Sequence, residues 1–392
     1  MARVDFALTE AQEQIRREAR ALAARFDDAY WRECDKEHRF PWEFYQAFAD
    51  AGWLGIAIPV EYGGAGLGIT EASILLEEVA ASGAAMNGAT ALHLTIFGLN
   101  PVVKHGSADL KERTMPAAAA GKLHVAFGIT EPNAGSDTTK LQTTALRKGD
   151  RYVVNGQKMF ISRVLQSDLM LLLARTTPVD KVKQRTQGLS VFLVDIRPLK
   201  GHGLEVRPLR MMMNHSTNAL FFDNMEIPAD SLVGEEGKGF AYILDGMNAE
   251  RILVASDSLG DARWFIEKAV TYSNQRVIFG KPIGANQGVQ FAIARSHIST
   301  DAAQLMRDKA AALFDAGQPC GGEANMAKYL GAEAAWEAGN ACIDCHGGYG
   351  YAEEYDVERK FRECRLYKTA PVNNNLILAY VGEHVLEMPR SY

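Results

Sequence analysis

Glu250 is the residue that promises most chemically. Ile243, Met247, Glu250 and Val254 recur at three- and four-residue spacing, which puts them on one face of a helix. A carboxylate on an apolar stripe is costly unless it is paired or used. Burial of that kind pushes a carboxyl toward the range in which it can act as a general base. Arg251 is adjacent in sequence but projects elsewhere, so it cannot simply neutralise Glu250. A buried ion pair with a distant Arg or Lys is the structural alternative. The second promising stretch is Phe127-Gly-Ile-Thr-Glu-Pro-Asn-Ala-Gly-Ser-Asp137. Thr130 and Ser136 offer hydroxyls, and the bend through Pro132 and Gly135 leaves backbone N–H groups to point at a polar, planar or anionic ligand edge. Taken alone, the same stretch reads as a surface turn capped at Ser136 or Asp137. A third stretch, Cys342-Ile-Asp-Cys345-His346, fits the pattern of c-type haem attachment. A zinc site there would need two more ligands. The bland alternative is two small buried residues near the end of a helix.

These groups need elements to hold them. Up to about residue 122 the pattern is helical. Thr9 caps a first helix from Ala11, Pro41 starts another, and a long Ala-rich helix begins near Thr70. His93–Lys104 reads as buried helix, with His93 and His105 as satisfied structural residues. From Lys122 to about Pro228 the period changes to strands. Tyr152–Ile161 reads as a hairpin about an Asn155-Gly156 turn, and Leu169–Ala174, Leu189–Val194 and Ala219–Phe222 are further strands of a mostly antiparallel domain. From Gly239 the pattern is helical again, over Tyr242–Trp264, Gln287–Ala316 and Glu323–Cys345. The expected domains are residues 1–122, helical; 123–230, β; and 231–392, a four-helix bundle. The fold class is α+β multidomain.

Bulk properties bound the partners. The chain has 392 residues, 47% hydrophobic and 23% charged, ordinary for a soluble globular protein of two or three domains. A formal net charge of −6 and no basic stripe argue against nucleic acid. No apolar run approaches a membrane span. The stretch Val4–Glu10 carries no signal-peptide core, so a cytoplasmic protein is expected. Five cysteines, an odd and sparse set, do not read as a disulfide framework.

The 127–137 turn resembles the first signature of the acyl-CoA dehydrogenase flavoprotein family, and other stretches agree in order. Asn155-Gly-Gln-Lys-Met-Phe-Ile-Ser162 is similar to the family's second flavin-contacting strand. Arg276-Val-Ile-Phe-Gly-Lys-Pro-Ile-Gly-Ala-Asn-Gln287 is similar to its Arg-x-x-Phe-Gly-x-Pro…Gln motif, and His346-Gly-Gly-Tyr-Gly-Tyr351 to its near-terminal glycine motif. Gly52–Pro59 and Tyr62–Gly66 fit its N-terminal domain. The resemblance covers nearly the whole chain.

It implies FAD as cofactor and an acyl-CoA substrate that loses an α-proton and a β-hydride to form a trans-2-enoyl-CoA. An electron-transfer flavoprotein would be the electron acceptor, and the protein a homo-oligomer, dimer or tetramer. Phe127, Ile129, Thr130 and Ser136 would lie at the flavin edge and Phe160 and Ser162 against its face. Phe160 stands where a Trp is common. Arg276, Phe279 and Gln287 would reach a neighbouring subunit's flavin. Gly347 and Gly348 would allow close backbone approach, Asp344 stands where Gln is frequent, and Asn373 and Asn375 are adenine-side candidates with loop capping as their alternative. Ser136, Met247, Arg251, Pro371 and Val372 would line the substrate; Ala85–Phe97 and Met211–Met213 are candidates for the acyl pocket. In many members the base lies on a loop that matches Leu366–Asn375 here, and Pro371 falls on its position. Glu250-Arg251 fits the isovaleryl- and long-chain-type branch, which carries the Glu on the helix. Proline also lacks the N–H that the loop residue gives to the thioester carbonyl, so Val372 N–H is the candidate replacement. Pro371 keeps two further readings open, an enoyl-thioester reductase or a desulfinase. A flavin-binding scaffold without turnover is the reading from another class.

Overall fold

A computed structural model gives the fold and describes residues 8–390; most of the Val4–Glu10 stretch lies outside them. The order of elements is helical, then β, then helical, and the chain divides into two compact units. One comprises residues 34–67, 90–251 and 369–392; the other comprises 1–33, 68–89 and 252–368.

The first of these units is built on an eight-stranded sheet. Its strands are β1 (Val125–Gly128), β2 (Thr144–Lys148), β3 (Arg151–Ser162), β4 (Leu169–Arg175), β5 (Leu189–Asp195), β6 (Leu204–Leu209), β7 (Thr217–Pro228) and β8 (Leu232–Val233). The spatial order is β6-β7-β3-β2-β4-β5-β8, with β1 parallel to β4 and nearly all other pairs antiparallel. β4 and β5 read as continuous apolar runs because both of their faces are covered. Leu171, Leu173, Val191 and Leu193 enter one core with Val102, Met115 and Ile243. Met170, Leu172, Phe192 and Val194 enter the other with Tyr152, Leu220 and Ile227.

The hairpin expected at Asn155-Gly156 is not there. β3 runs straight through it, and the reversal falls earlier, at Gly149-Asp150, where β2 returns as β3. Asn155-Gly156 is instead a register shift against β7. The glycine serves close approach: at φ +145° its missing Cβ would come within 2.6 Å of Thr143 Oγ1.

The other unit is helical. Thr9 caps Glu10–Ala23 in a reciprocal box with Gln12. The Ala-rich helix starts at Ile69 but breaks at Ser82, whose backbone is extended, before resuming at Ala85. The break strands carbonyls. Lys360, fully buried, donates to Ala80 O at 2.7 Å and Ser82 O at 2.8 Å and pairs with Asp261 at 3.0 Å. Glu77 is likewise buried yet held below the usual carboxylate range. Burial alone would raise it, but Arg307 at 2.8 Å and Arg263 at 2.6 Å overcome that. The three expected C-terminal helices are present as Gly239–Gln275, Gln287–Asp315 and Gly321–His346. The first, 37 residues long, outruns its expected 242–264 span, for nothing in its sequence breaks the helix before Gln275. An extra helix, Asp28–Lys36, was not anticipated.

Two histidines in the sheet unit, His215 buried and His124 half-buried, are pushed below the ordinary imidazole value by desolvation. Burial holds His124 down at about 4, stacked on Tyr45, and His215 at about 3. A histidine that ionises near 6.5 unfolded and near 4 folded withdraws roughly 3 kcal/mol of stability by pH 4. Between those values the unfolded chain binds the proton and the native one does not, so stability falls as pH falls. Urea midpoints should therefore drop between pH 6.5 and 4.5, and the drop should be smaller in His124→Phe.

Candidate active site

Glu250 sits where its periodicity placed it. Ile243 and Val254 of its stripe are buried with it, and Met247 is partly buried. Only 8% of Glu250 is exposed. The partner of its carboxylate is neither Arg nor Lys, as a structural ion pair would require, but His93: Nε2 lies 2.5 Å from Glu250 Oε2. The satisfied structural histidine of the sequence reading is therefore bonded to the candidate base. Arg251 turns away and donates to Asn248 Oδ1 at 3.0 Å. His105 behaves as expected, stacked on Tyr242 and paired with Asp245 at 3.2 Å.

The turn after β1 is fixed by a buried charge pair that the sequence reading missed. Lys158 Nζ donates to Ile129 O and to Glu131 Oε1, both at 2.9 Å. Glu131 also accepts the backbone N–H groups of Gln142 and Thr143 at 2.7 and 3.0 Å. Burial pushes Lys158 down to about 8 against the pull of Glu131. Burial would raise Glu131, but Lys158 and those donors hold it low. Met159 N–H reaches Thr130 O at 2.9 Å, so the turn is stitched to β3 at Met159 as well as at Lys158. Glu131 lies in the turn and Lys158 on β3, and no local spacing in the sequence links the two.

Next along β3 the register slips between Lys158 and Ile161. There Phe160 adopts φ +60° and its side chain is 60% exposed. A bulky residue in the left-handed region that also bares an aromatic ring is doubly costly and marks a site. Phe127 and Ile129 are partly buried, Thr130 and Ser162 half-buried, and Ser136 exposed. Asn373 caps the helix Asn374–Tyr380 through Oδ1, and its Nδ2 donates to Ser136 Oγ at 2.9 Å. Capping was its alternative reading; the contact with Ser136 adds a second role. Pro371 and Val372 are half-buried and Asn375 is exposed.

In the helical unit, Arg276, Gln287, Asp344, Gly347 and Gly348 are all exposed. Phe279 is 100% exposed at φ +52°, on the two-strand ribbon Val277–Ile278 and Lys281–Pro282. Arg276 lies 5.6 Å over the Tyr349 ring. A Cβ on Gly347 or Gly348 would meet nothing within 4 Å, so backbone there is open to a ligand. The Cys342–His346 stretch is the last turn of the helix Gly321–His346. Burial raises the Cys342 thiol far above its ordinary value, and His346 Nδ1 donates to Cys342 O at 2.8 Å while its ring stacks on Tyr272. No group of three potential ligands gathers among the described residues.

Three family models cover the chain: the acyl-CoA dehydrogenase N-terminal domain over residues 9–122, its middle domain over 126–225 and its C-terminal domain over 237–386. The chain belongs to the acyl-CoA dehydrogenase family. Among relatives, the acyl-CoA dehydrogenase FadE12 of Mycobacterium tuberculosis is 35% identical with both chains covered in full. The acryloyl-CoA reductase (NADH) of Anaerotignum propionicum is 35% identical over 93% of this chain and 92% of its own. Among solved structures, PigA with FAD and proline matches with a TM-score of 0.91 at 25% identity, over 97% of this chain and 99% of its own.

As a member of this family the protein is an oxidoreductase with FAD as cofactor. The residues present fit that group. Phe160 offers an uncovered aromatic face, the anchored turn offers hydroxyls and N–H groups, and Arg276 offers a fork suited to phosphate. No helix among the described residues is long and apolar enough to cross a membrane.

The anchored turn is testable. Lys158→Met leaves Glu131 buried without its cation, a change that typically costs about 3–5 kcal/mol. Flavin-fluorescence titration should show weakened FAD binding, and adding Glu131→Gln should recover part of the loss.

Proposed function

We propose that the protein dehydrogenates an acyl-CoA thioester, with Glu250 as the base that removes the α-proton and trans-2-enoyl-CoA as product. The observation that carries this is the burial of Glu250 against an imidazole, that of His93, instead of against Arg or Lys. A carboxylate locked in an Arg or Lys ion pair is a structural group; one hydrogen-bonded to an imidazole can still be placed for proton abstraction. Bound FAD supplies the acceptor for the β-hydrogen, taken as hydride at N5. The chain's own residues bind and orient: Thr130 and Ser136 at the flavin edge with Phe127 and Ile129 behind them, Phe160 and Ser162 at its face, and Met247 and Arg251 beside the substrate. Arg276, Phe279, Gln287, Asp344, Gly347, Gly348 and Asn375 are assigned to the cofactor's remaining length, partly across a homo-oligomer. An electron-transfer flavoprotein is the proposed acceptor, the setting cytoplasmic, and the working domains residues 1–122, 123–230 and 231–392.

Charge developing on the thioester oxygen needs donors. Pro371 has no N–H to give, and Val372 N–H is the next one along the chain. That departure favours a second reading, reduction of an activated enoyl thioester, the reaction class named for the Anaerotignum relative.

Anaerobic mixing with short, medium, long and branched acyl-CoAs decides between them. Bleaching of the flavin absorbance by one saturated class is expected, and Glu250→Gln should bind flavin yet slow bleaching by at least about 100-fold. No bleaching by any saturated thioester, with reoxidation of reduced enzyme by an enoyl thioester, would establish the reductase instead.

A further inference from the structure

His93 and Glu250 are 157 residues apart in sequence and meet in the sheet unit, with side chains only 3% and 10% exposed. His93 lies on the helix Ala85–Gly98. Its ring stands edge-on to Phe97 at a centroid distance of 5.1 Å, and Phe97 packs on Phe127 at 5.0 Å. The imidazole is thus wedged by an aromatic pair that ends on β1, the strand leading into the anchored turn. A side chain locked by packing on one edge and by a hydrogen bond on the other can fix a third group in place.

We propose that His93 is the positioning residue of the reaction: it holds Oε2 of Glu250 so that Oε1 is the oxygen offered to the α-carbon. The inference rests on Glu250 as the base. The protons follow from chemistry. An ionised carboxylate has none to give, so Nε2–H of the imidazole donates to Oε2. In the step itself the α C–H bond breaks, its electron pair stays on carbon and spreads into the thioester, and the proton forms an O–H bond at Oε1. His93 keeps its own proton throughout. The imidazole suits this task because its single Nε2–H bond fixes one carboxylate oxygen and leaves the other open. Leaving the carboxylate free to rotate would misplace the reacting oxygen by an ångström or more.

The test uses FAD-loaded enzyme and an acyl-CoA that bleaches the wild type. His93→Leu removes the donor, His93→Gln places an amide N–H close to the Nε2 position, and His93→Asn places it too short to reach. Two rates are read anaerobically: flavin bleaching, and washing of the substrate α-proton into D2O by NMR. FAD content and acyl-CoA affinity are measured alongside. The expected result is a loss of about 100-fold in both rates for His93→Leu, with affinity within about threefold of wild type, and recovery of most of that loss by His93→Gln but not by His93→Asn. Should His93→Leu fail to hold FAD, the Gln–Asn pair decides alone. Wild-type rates in His93→Leu, or equal rates in His93→Gln and His93→Asn, would overturn the proposal. Glu250→Gln runs in parallel. If it bleaches and exchanges normally, the base assignment falls; if it is inert while the His93 variants are normal, only the role of His93 falls.

Discussion

One buried ammonium group shapes the turn after β1. Lys158 is fully buried, and a buried charge must find donors or acceptors or be neutralised. It finds Ile129 O and Glu131. Glu131 can then be buried too, and its second oxygen is free to take the amide of Gln142. One charge pair thereby fixes both ends of a turn that has no ladder of its own, from residue 129 to residue 143. The Thr130 and Ser136 hydroxyls are precise only because that frame is. The slip in β3 that bares Phe160 begins at Lys158, so the strand gives up regular pairing where it has just supplied its anchor.

The helical unit follows the same rule with more members. Breaking the helix at Ser82 exposes carbonyls, and Lys360 pays for the break. Asp261 balances Lys360 and also accepts from Tyr367 at 2.9 Å. Glu77 joins Arg263 and Arg307, and Arg307 reaches on to Ser256 at 2.8 Å. Each is costly to open by a single substitution and cheap only while complete. The close approach that brings these groups within bonding distance is visible at Gly260, where a Cβ would lie 2.3 Å from Glu77 O.

What was legible in the sequence was what is local. The stripe containing Glu250 repeats every three or four residues, so its buried face could be read without any partner. Thr9 caps the first helix as expected, and Gln12, three residues on, completes a capping box with it. The change from helical to strand period marked the sheet for the same reason. Asn155-Gly156 shows the limit. The pair fits a tight turn and a bulge equally well, and the choice was made by Thr143 pressing on Gly156 and by β7 pairing on both sides of it. His93 shows it more sharply. Nothing near His93 in the chain distinguishes it from a core histidine; its meaning comes from a helix whose contact residue lies 157 positions away. Lys158 and Glu131 are 27 apart and each looks like an ordinary strand-edge charge until they are seen together.

The loop at Pro371 and the base on the helix belong to one argument. A loop that carries the base must present a carboxylate and a backbone N–H to the same thioester, which constrains both its sequence and its path. Under the proposed assignment of Glu250 as base, the first demand on the loop disappears, and a proline there removes not the base but only a donor. The loop has taken a different task. Asn373 caps the helix that follows and donates to Ser136, so the segment after Pro371 braces the turn that Lys158 anchors from the other side. Proline suits a brace, since it narrows the conformations available to the chain before the cap. With Glu250 as the proposed base, the helix holds the carboxylate, His93 bonds to it, and the loop stiffens the turn after β1.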